Sequence, residues 1–306
     1  ILSMLVNRVK QTNLLTKWNA RKNRKPLIVW GARQVGKTYL VKDIFAEEYY
    51  SNSYIYIDFK IEDEIRDFCD HTANAEKIIE YICLYKGKDI TKNTLLIFDE
   101  IQECPNIISS LKYFCQDFRE IPIIATGSMV RIRLQRELTR NGSTQKFMFP
   151  VGKIEQLTIY PLSFDEFLLN SNEKLFNVTK KAYESRTPLS SSIHELVLNE
   201  FYKYLLIGGM PEAVNTYFES NSFLESRRVL KDLYDNYLSD MELYQASRES
   251  CLRSKNLFSN IYGQLNKESK NFSPGFIEEK TKTRDYFHPI QWLTLAHIVN
   301  QSFQLK

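Results

Sequence analysis

A short glycine-containing stretch limits the possible folds of this chain more than any other feature of its sequence. Residues 31–38 read Gly-Ala-Arg-Gln-Val-Gly-Lys-Thr, which matches the pattern G-x-x-x-x-G-K-[ST]. An apolar run at 27–30 precedes the stretch, and apolar residues at helical spacing follow it from Tyr39 onward. A strand, a glycine-containing loop and a helix in this order are typical of a loop whose backbone N–H groups surround a phosphate group. The stretch therefore predicts a nucleotide site.

Chemical roles follow for the individual residues of this loop. Gly31 and Gly36 allow the backbone to bend around a phosphate group, and Lys37 adds a full positive charge. Thr38 provides a hydroxyl group for Mg²⁺. A glycine turn that binds nothing is the alternative, and the flanking strand and helix argue against it. The predicted contacts to the nucleotide are Gly31, Ala32, Arg33, Gln34, Val35, Gly36, Lys37, Thr38 and Tyr39.

Two acidic residues, Asp99 and Glu100, follow a second apolar run at 95–98. In phosphate-loop NTPases, an Asp at the end of such a strand helps to hold the Mg²⁺ that the loop hydroxyl also faces. Thr38 and Asp99 are therefore the predicted metal ligands, and Glu100 is predicted to orient or deprotonate an attacking water. Many strands end in acids without any function, but the position downstream of a phosphate loop favours the catalytic interpretation.

A third candidate is the end of the apolar run at 121–125, where Thr126, Gly127 and Ser128 follow. A hydroxyl group there is placed to hydrogen-bond the γ-phosphate or the attacking water, and we assign this role to Ser128. A strand that ends in an ordinary Gly-Ser turn is the alternative. Because ligands of open α/β sheets bind at the carboxyl ends of the strands, a place on a neighbouring strand favours the functional interpretation.

Composition places the chain among ordinary globular proteins. It has 306 residues, of which 43% are hydrophobic and 25% charged, and this length is enough for two or three domains. No apolar run approaches the ~20 residues that span a bilayer, and no signal-peptide pattern is present, so we expect no membrane partner. The five scattered cysteines predict reduced core residues in a cytoplasmic protein, with neither disulfides nor a zinc site.

Positive charge is concentrated near the start of the chain. The net charge is +4, and residues 1–50 carry ten Lys and Arg against three Asp and Glu. Seven of these basic residues lie between Arg8 and Lys25 with no acid among them. A nucleic acid or an acidic partner would fit such a stretch. A solvated helix face is the favoured alternative, because Trp18 is the only aromatic residue within the stretch.

Alternating strand and helix patterns predict the α/β class, with a parallel sheet and helices on both faces. Predicted strands lie at 27–30, 54–58, 94–98, 121–126 and 153–159, and predicted helices lie at 3–18, from Tyr39, at 62–86 and from Pro105. In the C-terminal half, we predict helices at 190–218 with a break at Gly208-Gly209, at 222–245, and in several short pieces over 252–306.

The combination of these motifs resembles the AAA+ ATPases of the AAA_14 family that carry a DUF4143 region. The resemblance rests on the loop at 31–38, on Phe98-Asp99-Glu100-Ile101-Gln102 with Pro105, and on Thr126-Gly127-Ser128. It continues through 160–167 and 208–212, and through the segments around Gln264-Leu265, Asn271-Phe272 and Gln291-Trp292-Leu293. One departure is Gly152-Lys153, where the family usually has Gly-Arg. A phosphate contact there would lose the planar, bidentate guanidinium group.

The resemblance implies a P-loop AAA+ nucleotide-binding domain at 1–159, a helical lid region at 160–245 and a small helical, winged-helix-like segment at 246–306. Family members usually continue into a nuclease-like domain. The resemblance also implies ATP and Mg²⁺ as cofactors, with Mg-dependent ATP hydrolysis as the activity. Candidate partners are DNA or a protein at the C-terminal segment, and a second copy of this chain. No arginine finger is assigned, and the candidates by position are Arg131, Arg133, Arg136 and Arg140.

Two alternative functions remain open on the sequence. One is a nucleotide-gated binding module for DNA or a protein partner, with slow or absent turnover. Turnover measured with and without DNA separates this module from an ATPase. The other is a small-molecule kinase, which needs a substrate pocket and an acceptor group. The Asp99-Glu100 pair and the long lid argue against a kinase.

Overall fold

A five-stranded parallel sheet forms the centre of the fold in a computed structural model that describes residues 6–128, 149–244, 247–269 and 271–303. The order across the sheet is β2-β3-β4-β1-β5, and all four pairs of neighbouring strands are parallel. The predicted α/β class with a parallel sheet is therefore confirmed. The strands are β1 Leu27–Gly31, β2 Tyr54–Asp58, β3 Leu95–Asp99, β4 Ile123–Gly127 and β5 Glu155–Ile159.

Two strands, β4 and β5, begin two residues later than the sequence pattern predicts. The apolar run that becomes β4 starts at Ile121, but the strand starts at Ile123, because Pro122 has no N–H group to donate to a ladder. Lys153 lies in a turn before β5, where its N–H donates to the carbonyl of Pro150 at 3.0 Å. The departure from the family pattern at Lys153 therefore lies in a turn and outside the sheet.

Helices cover both faces of the sheet. They are α1 Val9–Asn19, a π-helix Tyr39–Ala46 that continues as α2 Glu47–Tyr49, α3 Asp63–Asp70, α4 Ala75–Lys86, a 3₁₀ turn Ile101–Glu103 and α5 Pro105–Asp117. The residues predicted to be helical at 62–86 form two helices, and the prediction is wrong at the break between them. Helix α3 ends at Asp70. Asn74 then caps α4, because its side-chain oxygen accepts the N–H of Lys77 at 3.0 Å.

Alternate side chains of the buried strands point to opposite faces of the sheet, so the core forms two layers. In β1, Ile28 and Trp30 pack into one cluster together with residues of α3, α4 and α5. The neighbouring residues Leu27 and Val29 pack into a second cluster with residues of α1 and the π-helix. Because side chains of a strand point to opposite faces in turn, a strand that is apolar throughout needs cover on both sides.

The C-terminal half is helical. Its helices are α6 Phe164–Ser171, α7 Glu173–Ser185, α8 Ser191–Ile207, α9 Pro211–Ser220, α10 Phe223–Tyr244, α11 Arg248–Leu265 and α12 Phe287–Leu295, with 3₁₀ turns at Pro274–Phe276 and Thr283–Tyr286. After β5, the described residues form no strand, so a winged-helix wing has no counterpart among them. No helix of the described part of the chain is both long and apolar enough to cross a membrane.

The end of helix α10 packs against the last helices of the chain. Its residue Met241 is buried in a cluster with Leu257 of α11, Tyr286, and Trp292 of α12. The last helices therefore pack directly on α10. The predicted boundary near residue 246 follows the end of α10 and stays a prediction.

A close backbone contact joins Gly209, between helices α8 and α9, to Leu162, which follows the end of β5. The Leu162 N–H donates to the Gly209 carbonyl at 2.7 Å. A β-carbon on Gly209 would lie 2.2 Å from the Leu162 oxygen. Pro211, at the start of α9, lies 3.7 Å from the position of a β-carbon on Gly36. The glycine pair that interrupts the predicted helix therefore brings α9 beside the glycine loop.

We expect Gly209→Ala to lower the free energy of unfolding by about 1–3 kcal/mol, because the new methyl group overlaps backbone atoms that cannot rotate away. Gly275→Ala is the matched control, since a β-carbon there meets nothing within 4 Å. That control should change stability by less than about 0.5 kcal/mol. Chemical denaturation of both variants tests the contact, and equal stabilities would contradict it.

Candidate nucleotide site

The glycine loop leaves the carboxyl end of β1 in a tight turn. At Gly31, a β-carbon would lie 2.4 Å from the Ile159 carbonyl oxygen and 2.9 Å from the side chain of Val35. Two later residues have left-handed backbone angles, Gln34 with φ of 63° and Gly36 with φ of 85°. Glycine is therefore required at both Gly31 and Gly36, for close packing at the first and for backbone conformation at the second.

Lys37 lies inside the loop and has only 7% of its surface exposed. Its ammonium group donates to the carbonyl oxygens of Gly31 at 3.2 Å and Ala32 at 2.9 Å. Burial lowers the pKa of Lys37 to about 8, although the nearby carboxylates of Glu100 and Asp99 act in the opposite direction. The loop thus contains a buried cation whose partners in the described structure are backbone carbonyl groups and more distant carboxylates.

Asp99 is the most extensively hydrogen-bonded carboxylate of the site. One oxygen, Oδ2, accepts the Thr38 hydroxyl at 2.7 Å and the Tyr56 hydroxyl at 2.8 Å. The other oxygen, Oδ1, accepts the backbone N–H of Glu100 at 2.9 Å and the hydroxyl of Thr126. Asp99 therefore joins β2, β4 and the start of the π-helix to the end of β3.

The Thr38 and Asp99 side chains fit a divalent cation by their chemistry. Both present oxygen atoms, the ligands that Mg²⁺ prefers, and the two atoms lie 2.7 Å apart. They are thus close enough to share one ion.

Glu100 follows Asp99 in a left-handed backbone conformation, with φ of 52°. Burial raises the pKa of its carboxyl group, while a hydrogen bond from the side-chain amide of Gln102 acts in the opposite direction. The same Gln102 side chain accepts the backbone N–H of Ser128 at 3.3 Å. Gln102 therefore connects the carboxylate of Glu100 to the end of β4.

Residues far away in the sequence contact the loop from two sides, α10 on one side and Arg8 on the other. Arg33 forms an ion pair with the buried Asp240 of α10, and the Tyr237 hydroxyl donates to the Arg33 carbonyl at 2.8 Å. On the other side, Arg8 is 2% exposed and donates to the carbonyl of Val35 at 2.8 Å. A partly buried loop needs partners for its backbone carbonyls, and these side chains supply them.

Arg8 also ties the loop to the start of the helical half. Its guanidinium group donates to the Tyr160 carbonyl at 2.5 Å and pairs with Glu166 at 3.5 Å. The N-terminal segment, the loop, the end of β5 and helix α6 therefore meet at one buried cation.

The predicted site residues lie together at the carboxyl edge of the sheet. The loop residues 31–38 leave β1, Asp99 and Glu100 end β3, and Ser128 follows β4. Tyr39 begins the π-helix and is half-buried, and Gln34 is exposed. The positions agree with the prediction, and the roles of the individual residues stay predictions. The arginine-finger candidates at 131–140 lie outside the described residues.

Sequence reasoning missed Tyr56, Gln102, Tyr237 and Asp240 as parts of this site, and it placed Arg8 in a basic surface stretch. Most basic side chains of that stretch form hydrogen bonds or ion pairs within the protein. Arg21 pairs with Glu155, Arg24 donates to the carbonyls of Asn19 and Glu120, and Lys25 donates to the carbonyl of Gly152. These contacts favour a structural interpretation of the stretch over a nucleic-acid surface.

Comparison with protein families gives two matches. Residues 23–168 match the model of the AAA domain AAA_14, and residues 198–305 match a domain of unknown function, DUF8612. The first match, together with the fold, supports an AAA-like P-loop NTPase. The second match is not the DUF4143 region that the sequence resemblance implies, so that part of the resemblance stays a prediction. A search among curated proteins found no match.

Solved structures share the architecture. The Walker-type ATPase PABY2304 of Pyrococcus abyssi is similar with a TM-score of 0.54 and 17% identity, over 95% of this chain and 90% of that one. AMPPCP-bound DnaA from Aquifex aeolicus is a more distant similarity, with a TM-score of 0.38 and 15% identity over 94% of this chain and 87% of that one. PCH-2 from C. elegans has a TM-score of 0.39 and 10% identity over 76% of this chain and 71% of that one. The first similarity shows that this chain shares the fold of PABY2304, and the other two are too distant to add to that.

We expect Lys37 in the ligand-free protein to lose its proton near pH 8, whereas an ordinary lysine does so near 10.5. Between these values the unfolded chain binds more protons than the folded one, so the contribution of Lys37 to the free energy of unfolding rises with pH. NMR titration of lysines labelled at the ε-carbon measures the pKa directly, and Lys37→Arg assigns the signal. A Lys37 pKa of about 10 would contradict its burial among uncharged carbonyls.

Proposed function

We propose that this protein binds ATP with Mg²⁺ and hydrolyses the ATP at the carboxyl edge of the sheet. One observation carries the proposal. The glycine loop carries the buried Lys37 and the hydroxyl of Thr38, and the carboxylates of Asp99 and Glu100 lie beside it at the end of β3. The match of residues 23–168 to an AAA domain supports the same proposal.

In this proposal the loop binds the phosphate groups. The backbone N–H groups from Gly31 to Thr38 and the partial positive charge at the start of the following helix attract the anion. Lys37 exchanges its hydrogen bonds to the Gly31 and Ala32 carbonyls for bonds to the β- and γ-phosphates. Thr38 and Asp99 would hold Mg²⁺, which would neutralise charge on the phosphates. The anion also raises the pKa of Lys37, because it favours the charged form.

Hydrolysis then requires a positioned water molecule. Its oxygen attacks the γ-phosphorus atom while the bond to the β–γ bridging oxygen breaks, which gives ADP and inorganic phosphate. Glu100 accepts the proton that the water loses, and Ser128 contacts the γ-phosphate or the water from the neighbouring strand. A raised pKa makes a carboxylate a better proton acceptor, which suits Glu100 for this role.

A second candidate function is a nucleotide-gated binding module with slow or absent turnover. The ion pair between Arg33 and Asp240 favours it, because α10 contacts the loop at one point and the C-terminal helices at another. The occupant of the C-terminal region would then be DNA, a protein or a second copy of the chain. Turnover rates that rise on addition of DNA would support the ATPase with a DNA partner, and zero turnover under all conditions would support the module.

Lys37→Ala should weaken ATP binding about 10- to 100-fold, because charge-assisted hydrogen bonds to the phosphates contribute roughly 1.5–3 kcal/mol. Isothermal titration calorimetry measures the affinity, and circular dichroism checks that the variant is folded. Lys180→Ala, on the exposed face of α7, is the control with the same chemical change and should bind ATP as the wild type does. A folded Lys37→Ala protein with wild-type affinity would show that the loop is not the phosphate site.

Glu100→Gln keeps the shape of the side chain but cannot accept a proton. We expect ATP affinity close to the wild-type value and a kcat lower by a factor on the order of 10²–10⁴. Glu103→Gln, at the end of the 3₁₀ turn that follows Glu100, is the matched control and should keep its kcat. Phosphate release assays measure both variants. Wild-type turnover in Glu100→Gln would assign the proton acceptor to another residue.

A further inference from the structure

Gln102 is a buried polar side chain whose hydrogen bonds lead to two residues of the candidate site. It lies in the 3₁₀ turn Ile101–Glu103 and has 5% of its surface exposed. Ile101, just before it, and Cys104, two residues after it, are buried in the core cluster on one face of the sheet. Burial of an amide is unfavourable unless its oxygen and nitrogen atoms are hydrogen-bonded. In Gln102 both are, and each bond leads to a predicted catalytic residue.

The orientation of the Gln102 amide follows from its partners. The backbone N–H of Ser128 can only donate, so the atom that faces it at 3.3 Å is the side-chain oxygen Oε1. The nitrogen Nε2 therefore faces Oε2 of the Glu100 carboxylate and donates to it. A flipped amide would place a donor against the Ser128 N–H and an acceptor against a carboxylate, which loses both bonds.

We propose that Gln102 is a positioning residue for ATP hydrolysis, which orients the Glu100 carboxylate and couples it to the end of β4 at Ser128. The inference rests on the proposed function and names a residue for which the comparisons give no role. Gln102 holds one carboxylate oxygen of Glu100 and leaves the other, Oε1, to accept a proton from water. The left-handed backbone of Glu100 fixes the start of the side chain, and the amide fixes its end.

The same contact links the two predicted catalytic residues mechanically. The Ser128 N–H and the Glu100 carboxylate are held by opposite ends of one amide group, which is planar and rigid. A γ-phosphate that contacts the end of β4 thus acts on the same unit that orients the carboxylate. Precise alignment of a reacting group matters because displacements of about 1 Å reduce rates by about 10²-fold.

The experiment compares Gln102→Met with Gln102→Glu. The methionine keeps the length of the side chain and removes both hydrogen bonds. The glutamate keeps an oxygen to accept the Ser128 N–H but places a second carboxylate against Glu100. Gln264→Met is the matched control, because Gln264 is a buried glutamine of the C-terminal helices whose amide is bonded at 2.8 Å and 3.1 Å to the backbone of Ser273.

We expect both Gln102 variants to lower kcat by about 10- to 100-fold while the Kd for ATP stays within about 3-fold of the wild type. Gln264→Met should keep its kcat, even if thermal unfolding shows lower stability. In the Glu100→Gln background, Gln102→Met should cause little further loss of single-turnover rate, because a residue that acts through Glu100 has nothing left to orient.

The outcomes separate a failure of the positioning role of Gln102 from a failure of the proposed ATPase activity. Wild-type turnover in folded Gln102→Met, or a loss that multiplies with that of Glu100→Gln, would overturn the positioning role and leave the proposed ATPase intact. If Gln102→Met does not fold, Gln102→Glu carries the test, since it retains the Ser128 contact. If the wild-type protein itself shows no hydrolysis, the proposed function fails and the role of Gln102 in hydrolysis fails with it.

Discussion

The buried carboxylate of Asp99 is the interaction on which the carboxyl edge of the sheet depends. A charge that is 3% exposed is stable only with several good hydrogen bonds, and Asp99 accepts four. Its donors come from the end of the glycine loop, from β2, from β4 and from the residue that follows it, at Thr38, Tyr56, Thr126 and Glu100. Loss of Asp99 would leave three hydroxyl groups without their partner and would separate the elements that carry them. The predicted cation ligand is therefore also a structural centre of the ligand-free protein.

The main features of the sheet and the loop could be predicted because their signals are local in the sequence. The pattern at 31–38 and the apolar runs that end at Asp99 and Ser128 determine which residues meet at one edge of a parallel sheet. The break in the predicted helix at 62–86 was missed because Asn74 is a helix cap only if the chain before it has already left the helix. Helical periodicity alone does not contain that information.

Several site residues could not be predicted, because their partners lie far away in the sequence. Arg8 contacts Tyr160 and Glu166, which are 152 and 158 residues away, and its neighbours in the chain suggest only a basic surface. Tyr56 occupies an ordinary position of an alternating strand, and its hydroxyl group becomes meaningful only when β2 pairs with β3. Gln102 was part of the motif that carries the family resemblance, but nothing in the motif states that its amide faces both Glu100 and the end of β4.

The ion pair between Arg33 and Asp240 gives the loop a direct connection to the rest of the chain. Asp240 is buried, burial raises the pKa of its carboxyl group, and Arg33 opposes that rise. Among the described residues, its oxygen Oδ2 has no hydrogen-bond partner, and Arg33 compensates the buried charge at Oδ1. A rearrangement of the loop that separates the two groups would leave that charge unpaired, which is costly in a protein interior. Residues next to Asp240 on α10, such as Met241, also pack against the C-terminal helices. Adjacent residues of α10 therefore contact both the glycine loop and those helices.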